Sequence, residues 1–338
     1  MPTESLRAGL SAATLLLGLW SSTACSAGLT PAVGASEIKS DGSESVHHDA
    51  SPKHAARPVP PDVVARSALP FRTLDASTGE LLAPAEFFDT LAERDAICVA
   101  EQHDNPHHHF AQLYVIQEVA QRAATTGREL GLGLEMFQTP FQGQLDDYSA
   151  GKIDQDELLE KSEYLERWGY PFAFYAPQID HVVQRGGALV ALNAPREQVK
   201  RVARDGFQAL SPREERLLGG YDLHDEAHRA QFDELMKDHP HDAGSIDQLY
   251  AAQVLWDESM AQAASEWLGE RQPARQLVIL AGAAHCHDSA IPSRLERRLK
   301  ADVVSVKPVV LQSADAPTEE LLGHLEGYDY GFFMSPEP

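Results

Sequence analysis

A chain of 338 residues has room for one large domain or two small ones, and either buries a sizeable core. The formal net charge of −23 argues against nucleic acid or an anionic lipid surface as partner, because both reward clustered Lys and Arg. An acidic surface suits a soluble body that attracts cations weakly.

The first 24 residues read as a lipoprotein-type signal peptide. "AGLSAATLLLGLW" is an apolar run too short to span a bilayer comfortably, and the small residues of "SSTAC" lead to Cys25, the candidate lipidation site. Ser22 stands where a Leu is usual, so plain secretion after cleavage near Ala24 or Ala27 is the alternative. Ser26, following the cysteine, favours the outer membrane. Loss of residues 1–24 removes Glu4 and Arg7, so the charge stays at −23. Residues 25–66 are rich in Ser, Ala, Pro and Gly and read as a flexible tether, with His47, His48 and His54 solvated in it.

A folded pattern spans 67–312, leaving 313–338 as a C-terminal segment. Short buried-strand runs recur at Ala96–Ala100, Leu130–Leu134, Ala188–Leu192, Leu277–Ala281 and Val303–Val306. Between the first two, Phe110, Leu113, Ile116 and Ala120 repeat at helical spacing. Asp104 or Asn105 caps that helix and Pro106 opens it. Strands buried on both faces and alternating with helices predict an α/β fold, a mostly parallel sheet flanked by helices. The long gaps at about 138–187 and 197–275, after the second and third core strands, read as helical insertions.

The strand ends carry the chemistry. Glu101, Gln102 and His103 follow the first run, Glu135 the second, Asn193 the third and His285 the fourth. Ligands of doubly wound sheets bind at the carboxyl ends of the strands, so these side chains are expected at one rim. Glu101 and His103 lie two apart and can face one point from an extended strand end. His107, His108 and His109 are successive helical residues about 100° apart and cannot all reach one ion. His108 is the candidate among them, and Arg196 of "NAPR" joins it as a binding residue. Two carboxylates with two imidazoles suit Zn, Mn or Fe as a divalent ion, with one Glu free to act as general base on bound water. A metal-free Glu–His pair activating water is the alternative.

"EQHDNPHHH", "LEMF", "LNAPR", "AQVLWDESMA" and "AGAAH", in this order and spacing, resemble the ChaN-like family of haem-binding uptake lipoproteins. That family sits in a wider TIKI-type superfamily with erythromycin-esterase-like enzymes and TIKI metalloproteases. The resemblance covers most of residues 69–310, though Ala100 stands where the family pattern has Gly. It implies an α/β fold, a site at Glu101, His103, Glu135 and His285, and a role in iron or haem acquisition.

Other residues bear on that expectation. Residues 137–175 hold nine aromatics, which form either a small core or an apolar lid. A porphyrin would need such a wall plus an axial His or Tyr, and Tyr170 and Tyr175 are the candidates. His224 and His228 lie four apart and read as an exposed helix face. His239 and His241 read as loop residues. Gln253, Asp257 and Met260 share a helical face, from which Asp257 can reach a site histidine. Cys98 sits roughly 10 Å down its strand from Glu101, whereas Cys286 adjoins His285 at the rim, so both are expected as free thiols. No phosphate loop, dinucleotide fingerprint or serine elbow appears.

The leading expectation is a membrane-tethered, periplasm-facing lipoprotein that binds haem or iron. Its expected partners are a haem or iron source, an outer-membrane uptake receptor and a second copy of the chain. A metal-dependent hydrolase of esterase or protease type, using the same four residues, is the first alternative. A non-catalytic interaction domain is the second.

Overall fold

The computed structural model describes residues 63–237, 246–269 and 274–335. The signal, Cys25, His239 and His241 lie outside them, as does the tether up to residue 62. The strands are β1 (Phe71–Asp75), β2 (Leu81–Leu82), β3 (Ala96–Glu101), β4 (Glu129–Gln138), β5 (Ala188–Asn193), β6 (Arg275–Gly282), β7 (Val303–Val310) and β8 (Tyr330–Met334). Among the described residues these form one sheet in the order β2-β1-β8-β7-β3-β6-β4-β5. β3 to β8 run parallel, and β1 pairs antiparallel with β8 and β2. The chain is thus an α/β protein with a mostly parallel sheet, as its strand and helix pattern predicts.

The five strands expected from sequence are β3 to β7. β1, β2 and β8 are additions: β8, from the stretch after residue 312, is fully buried and pairs with β7. Val63–Arg66, assigned to the tether from sequence, form a helical turn whose Val64 is buried. The helix Pro106–Thr126 starts as expected, with the Asn105 side chain accepting the His107 N–H and Pro106 in the first turn, and Gly127 closes it at φ 70°.

The two faces of the sheet are covered differently. Ala96, Cys98 and Ala100 of β3 point into a core with Met260, Ala261 and Ala264 of helix Ile246–Gly269 and with Ile291 and Leu295 of helix Ile291–Leu299. On that side Gly131 of "LGLGL" lies against Trp267, where a Cβ would come within 2.6 Å of the indole. The opposite face carries helix Pro106–Thr126, from which Gln112 Nε2 donates to the Val99 carbonyl at 3.1 Å. At the β5 edge the Gln142 amide stands in for a missing strand, accepting from Ala191 N–H at 2.7 Å and donating to Leu189 C=O at 2.8 Å.

The chain leaves β3 toward β4 on one side and leaves β6 toward β7 on the other, although β3 and β6 are neighbours. Diverging connections open a crevice there, the place where open α/β sheets bind ligands.

The expectation of free thiols is wrong: Cys98 and Cys286 form a disulfide, with Cα atoms 5.4 Å apart. After Gly282 the chain turns into the short helix Ala283–Cys286, which folds back onto β3. His285 and Cys286, successive on that helix, point in directions about 100° apart. One stays at the rim and the other reaches down the strand. The Cys98→Ala/Cys286→Ala double variant is expected to lose about 2–4 kcal/mol of stability. Urea unfolding against the oxidised chain reads this, and an unshifted midpoint would show the crosslink to be idle.

Candidate functional site

The crevice between β3 and β6 gathers two carboxylate–imidazole pairs, one from each face of the sheet. Glu101 closes β3 and is buried. Its Oε1 meets His103 Nδ1 at 2.6 Å and accepts the Tyr175 hydroxyl at 2.7 Å. Its Oε2 accepts Gln112 Nε2 at 2.8 Å, with His109 Nδ1 3.5 Å away. Burial would raise this carboxyl's pKa, but His109, the His103 hydrogen bond and the Tyr175 hydroxyl outweigh it and hold the group at about 2. Burial lowers the His103 pKa, yet the Glu101 hydrogen bond and the Glu135 charge raise it overall.

The second pair is built from β4 and the other face. Glu135 Oε2 accepts the Gly282 N–H at 2.7 Å, and its Oε1 lies 3.4 Å from His285 Nε2. His285 Nδ1 meets Asp257 Oδ1 at 2.6 Å. Burial would depress this imidazole, but Glu135 and Asp257 raise it to about 9. Asp257, fully buried, is held well below the usual carboxylate range: His285 and His228 outweigh its desolvation.

Gly282 joins the pairs. Besides donating to Glu135, it runs so close to His103 that a Cβ would sit 3.0 Å from Cε1 and 3.2 Å from Nε2. A side chain here would displace the imidazole.

The aromatic insertion walls the crevice. Trp168 and Tyr170 stand 4.8 and 4.9 Å from the His103 ring, centroid to centroid, and Tyr170 is half-buried. Phe174 stacks on His109 at 4.7 Å. Tyr175 is wholly buried, and burial and the Glu101 charge push its phenol well above the ordinary value, so it stays a donor.

The strand-end prediction therefore brings Glu101, His103, Glu135 and His285 together, and Asp257 reaches His285 as its helical face implies. Other candidates do different work. His108 Nδ1 accepts the Gln102 N–H at 3.0 Å, and burial and His109 lower its pKa to about 3, so it is a neutral loop clamp. Asn193 Nδ2 donates to the Glu135 carbonyl at 2.9 Å and sets the strand end. Arg196 ties the insertion down, its N–H donating to Gln138 Oε1 at 3.0 Å and its Nη1 to the Glu166 carbonyl at 2.9 Å.

Two readings need correction. His228 is not on an exposed face but 1% exposed, with Nε2 2.8 Å from Asp257 Oδ2. The four-ligand divalent metal site is not what the side chains build. Among the described residues, no group of three or more His, Cys, Asp or Glu is disposed to hold an ion. The reason is local: both Glu101 oxygens and one Glu135 oxygen already accept protein N–H or O–H groups, and His103 and His285 each commit Nδ1 to a carboxylate. His109, Gln112 and Arg294 were not singled out from sequence; all are polar residues on otherwise apolar helix faces.

Fold and site define a doubly wound α/β protein with buried carboxylate–imidazole pairs at its switch point. Residues 87–295 match the family described as haem-binding uptake, Tiki superfamily, ChaN, and the chain belongs to that family. Among solved structures, that of cofacial haem binding to ChaN of Campylobacter jejuni is similar at 18% identity and TM-score 0.61, covering 78% of this chain and 96% of that one. At that identity the likeness is one of fold. A mutant erythromycin esterase in its open conformation is 13% identical with TM-score 0.42, over 79% of this chain and 83% of the esterase. The chloroplastic protein RETICULATA-RELATED 5 of Arabidopsis thaliana is 23% identical over 203 residues, 56% of this chain but 27% of the plant protein.

The paired charges predict a pH profile. His285 is raised from 6.5, so its contribution to stability is complete below about pH 6.5 and is lost as pH climbs through about 9. Glu101 is depressed from 4.5, so its contribution is complete above about pH 4.5 and is lost as pH falls toward 2. Melting temperature from these groups should peak between those limits and fall on both sides. Glu135→Gln should flatten the alkaline fall, and calorimetry across pH checks both.

Proposed function

We propose that the chain is an exported, membrane-tethered lipoprotein that binds haem as cargo at this rim, in iron or haem acquisition. The observation that carries the reading is the His103 imidazole. Its Nδ1 is committed to Glu101, which leaves Nε2 as the ring's other donor atom, and the ring is framed by Trp168 and Tyr170. An imidazole oriented by a carboxylate, a half-buried phenol and an aromatic wall are the donor set and the surface a porphyrin needs. His103 and Tyr170 would hold the group, Trp168 would flank it, and Glu101 would strengthen the imidazole as a donor. Bound haem supplies iron within a planar ring.

Export is supported by the Cys98–Cys286 disulfide, a bond that persists in oxidising compartments. In this reading Cys25 carries the lipid, residues 25–62 form the tether, and the folded body faces the periplasm from the outer membrane. Its partners are a haem or iron source, an uptake receptor of that membrane and a second copy of the chain.

Haemin titration followed by the Soret band tests the reading. The wild type should bind, His103→Ala should abolish binding, and Glu101→Gln, which removes only the orienting charge, should weaken it by about 10–100-fold. Equal affinity in wild type and His103→Ala would sink the assignment.

A second reading is favoured by one observation: two buried carboxylates each face an imidazole whose pKa is raised, an arrangement fit for acid–base work. Glu135 would act as base on water and an imidazolium as acid, without a metal. Turnover of an activated ester by haem-free protein, lowered by about 100-fold or more in Glu135→Gln, would support hydrolysis. Equal background rates in both would remove it.

A further inference from the structure

Behind His285 runs a second line of buried polar groups with no evident need to be there for packing. His228, on helix Glu226–Met236, lies between Asp257 and Arg294. Its Nε2 is 2.8 Å from Asp257 Oδ2, and its Nδ1 is 3.2 Å from Arg294 Nη2 and 3.1 Å from the Tyr250 hydroxyl. Arg294 is 1% exposed and Asp257 fully buried.

The chemistry of the donors fixes the proton. A guanidinium donates hydrogen bonds and never accepts them, so the nitrogen facing it must present a lone pair. With Nδ1 unprotonated, the imidazole's proton sits on Nε2, aimed at Asp257 Oδ2, and the Tyr250 hydroxyl has the Asp225 carbonyl to donate to. That proton occupies one carboxylate oxygen and stops the group from rotating. The other oxygen, Oδ1, is left for His285 Nδ1 at 2.6 Å. With Nδ1 of His285 committed, its Nε2 faces Glu135.

We propose that His228 and Arg294 are positioning residues of the rim: Arg294 locks His228 in its Nε2–H tautomer, and His228 in turn holds Asp257 in register with His285. The role in ligand binding rests on the rim being the ligand site; the tautomer lock does not. Arg294 acts a second way, donating to the carbonyls of Ser289 and Ala290 in the loop that follows the His285 helix. The groups facing His228 are Asp257 and Tyr250 on helix Ile246–Gly269, Arg294 on helix Ile291–Leu299, Asp225 at the start of its own helix, and His287. Glu258, which balances Arg294, is also bound by Arg297 and Arg298 at 2.6 Å each, so it keeps partners when Arg294 is replaced.

Imidazole ¹⁵N–¹H spectra of the full chain labelled at histidine test this without any ligand. In the wild type His228 should show the Nε2–H tautomer, with Nδ1 unprotonated. Arg294→Met should release the tautomer, so that an Nδ1–H signal appears for His228. His228→Phe should shift or broaden the His285 Nδ1–H signal, and His228→Gln, whose amide can still donate to Asp257, should restore it. A His228 that shows the Nδ1–H tautomer in the wild type, or whose loss leaves the His285 signal unmoved, would overturn the lock. Wild-type protein that fails to bind haemin yet keeps these signals would overturn the haem reading and leave the lock standing.

Discussion

The rim depends on charge balance away from water. Glu101, Glu135 and Asp257 are each nearly or fully buried, where an unpaired carboxylate would be driven to its neutral form. Each is answered by an imidazole: His103, His285, and His285 again with His228 beside it. The cost of desolvation is offset by short hydrogen bonds, and the same bonds fix the rotamers of the rim. Removing one member of a pair therefore leaves a buried charge behind, which is harsher than losing a contact.

The two long connections, one for each face of the sheet, bring the rest. The insertion after β4 supplies Trp168, Tyr170 and Tyr175 around the Glu101–His103 pair. The connection after β5 supplies His228 and Asp257 behind His285. The sheet contributes Glu101 and Glu135, and the insertions contribute their environment. A glycine at the end of β6 lets the halves approach. Variation in either insertion would retune one pair while leaving the other in place.

Much of this was legible in the sequence because strand ends in a parallel sheet share an edge. Five strands, the helix cap at Asn105 and the meeting of Glu101, His103, Glu135 and His285 all follow from short apolar runs and what comes directly after them. What stayed hidden needed local geometry. The direction in which Cys286 points depends on one helical turn after Gly282, and a reading by distance along the strand cannot see that turn. His228 shares its buried face with Phe232 and Met236 at a spacing of four, a pattern obscured by the charged residues between them. His109 and Gln112 share an apolar face with Ile116 in the same way. β8 was masked by the turn-like "GYDYGF" in which it begins. The metal expectation rested on counting donors and could not see how many of their atoms are already committed within the protein.

A sheet that ends in an open strand offers its outer backbone groups to any passing chain. Gln142 answers this at β5, where a single side-chain amide satisfies Ala191 N–H and Leu189 C=O as a neighbouring strand would. Self-association through that margin by strand addition is thereby disfavoured. The same amide leaves a neighbouring chain fewer backbone groups at β5 on which to template a further strand.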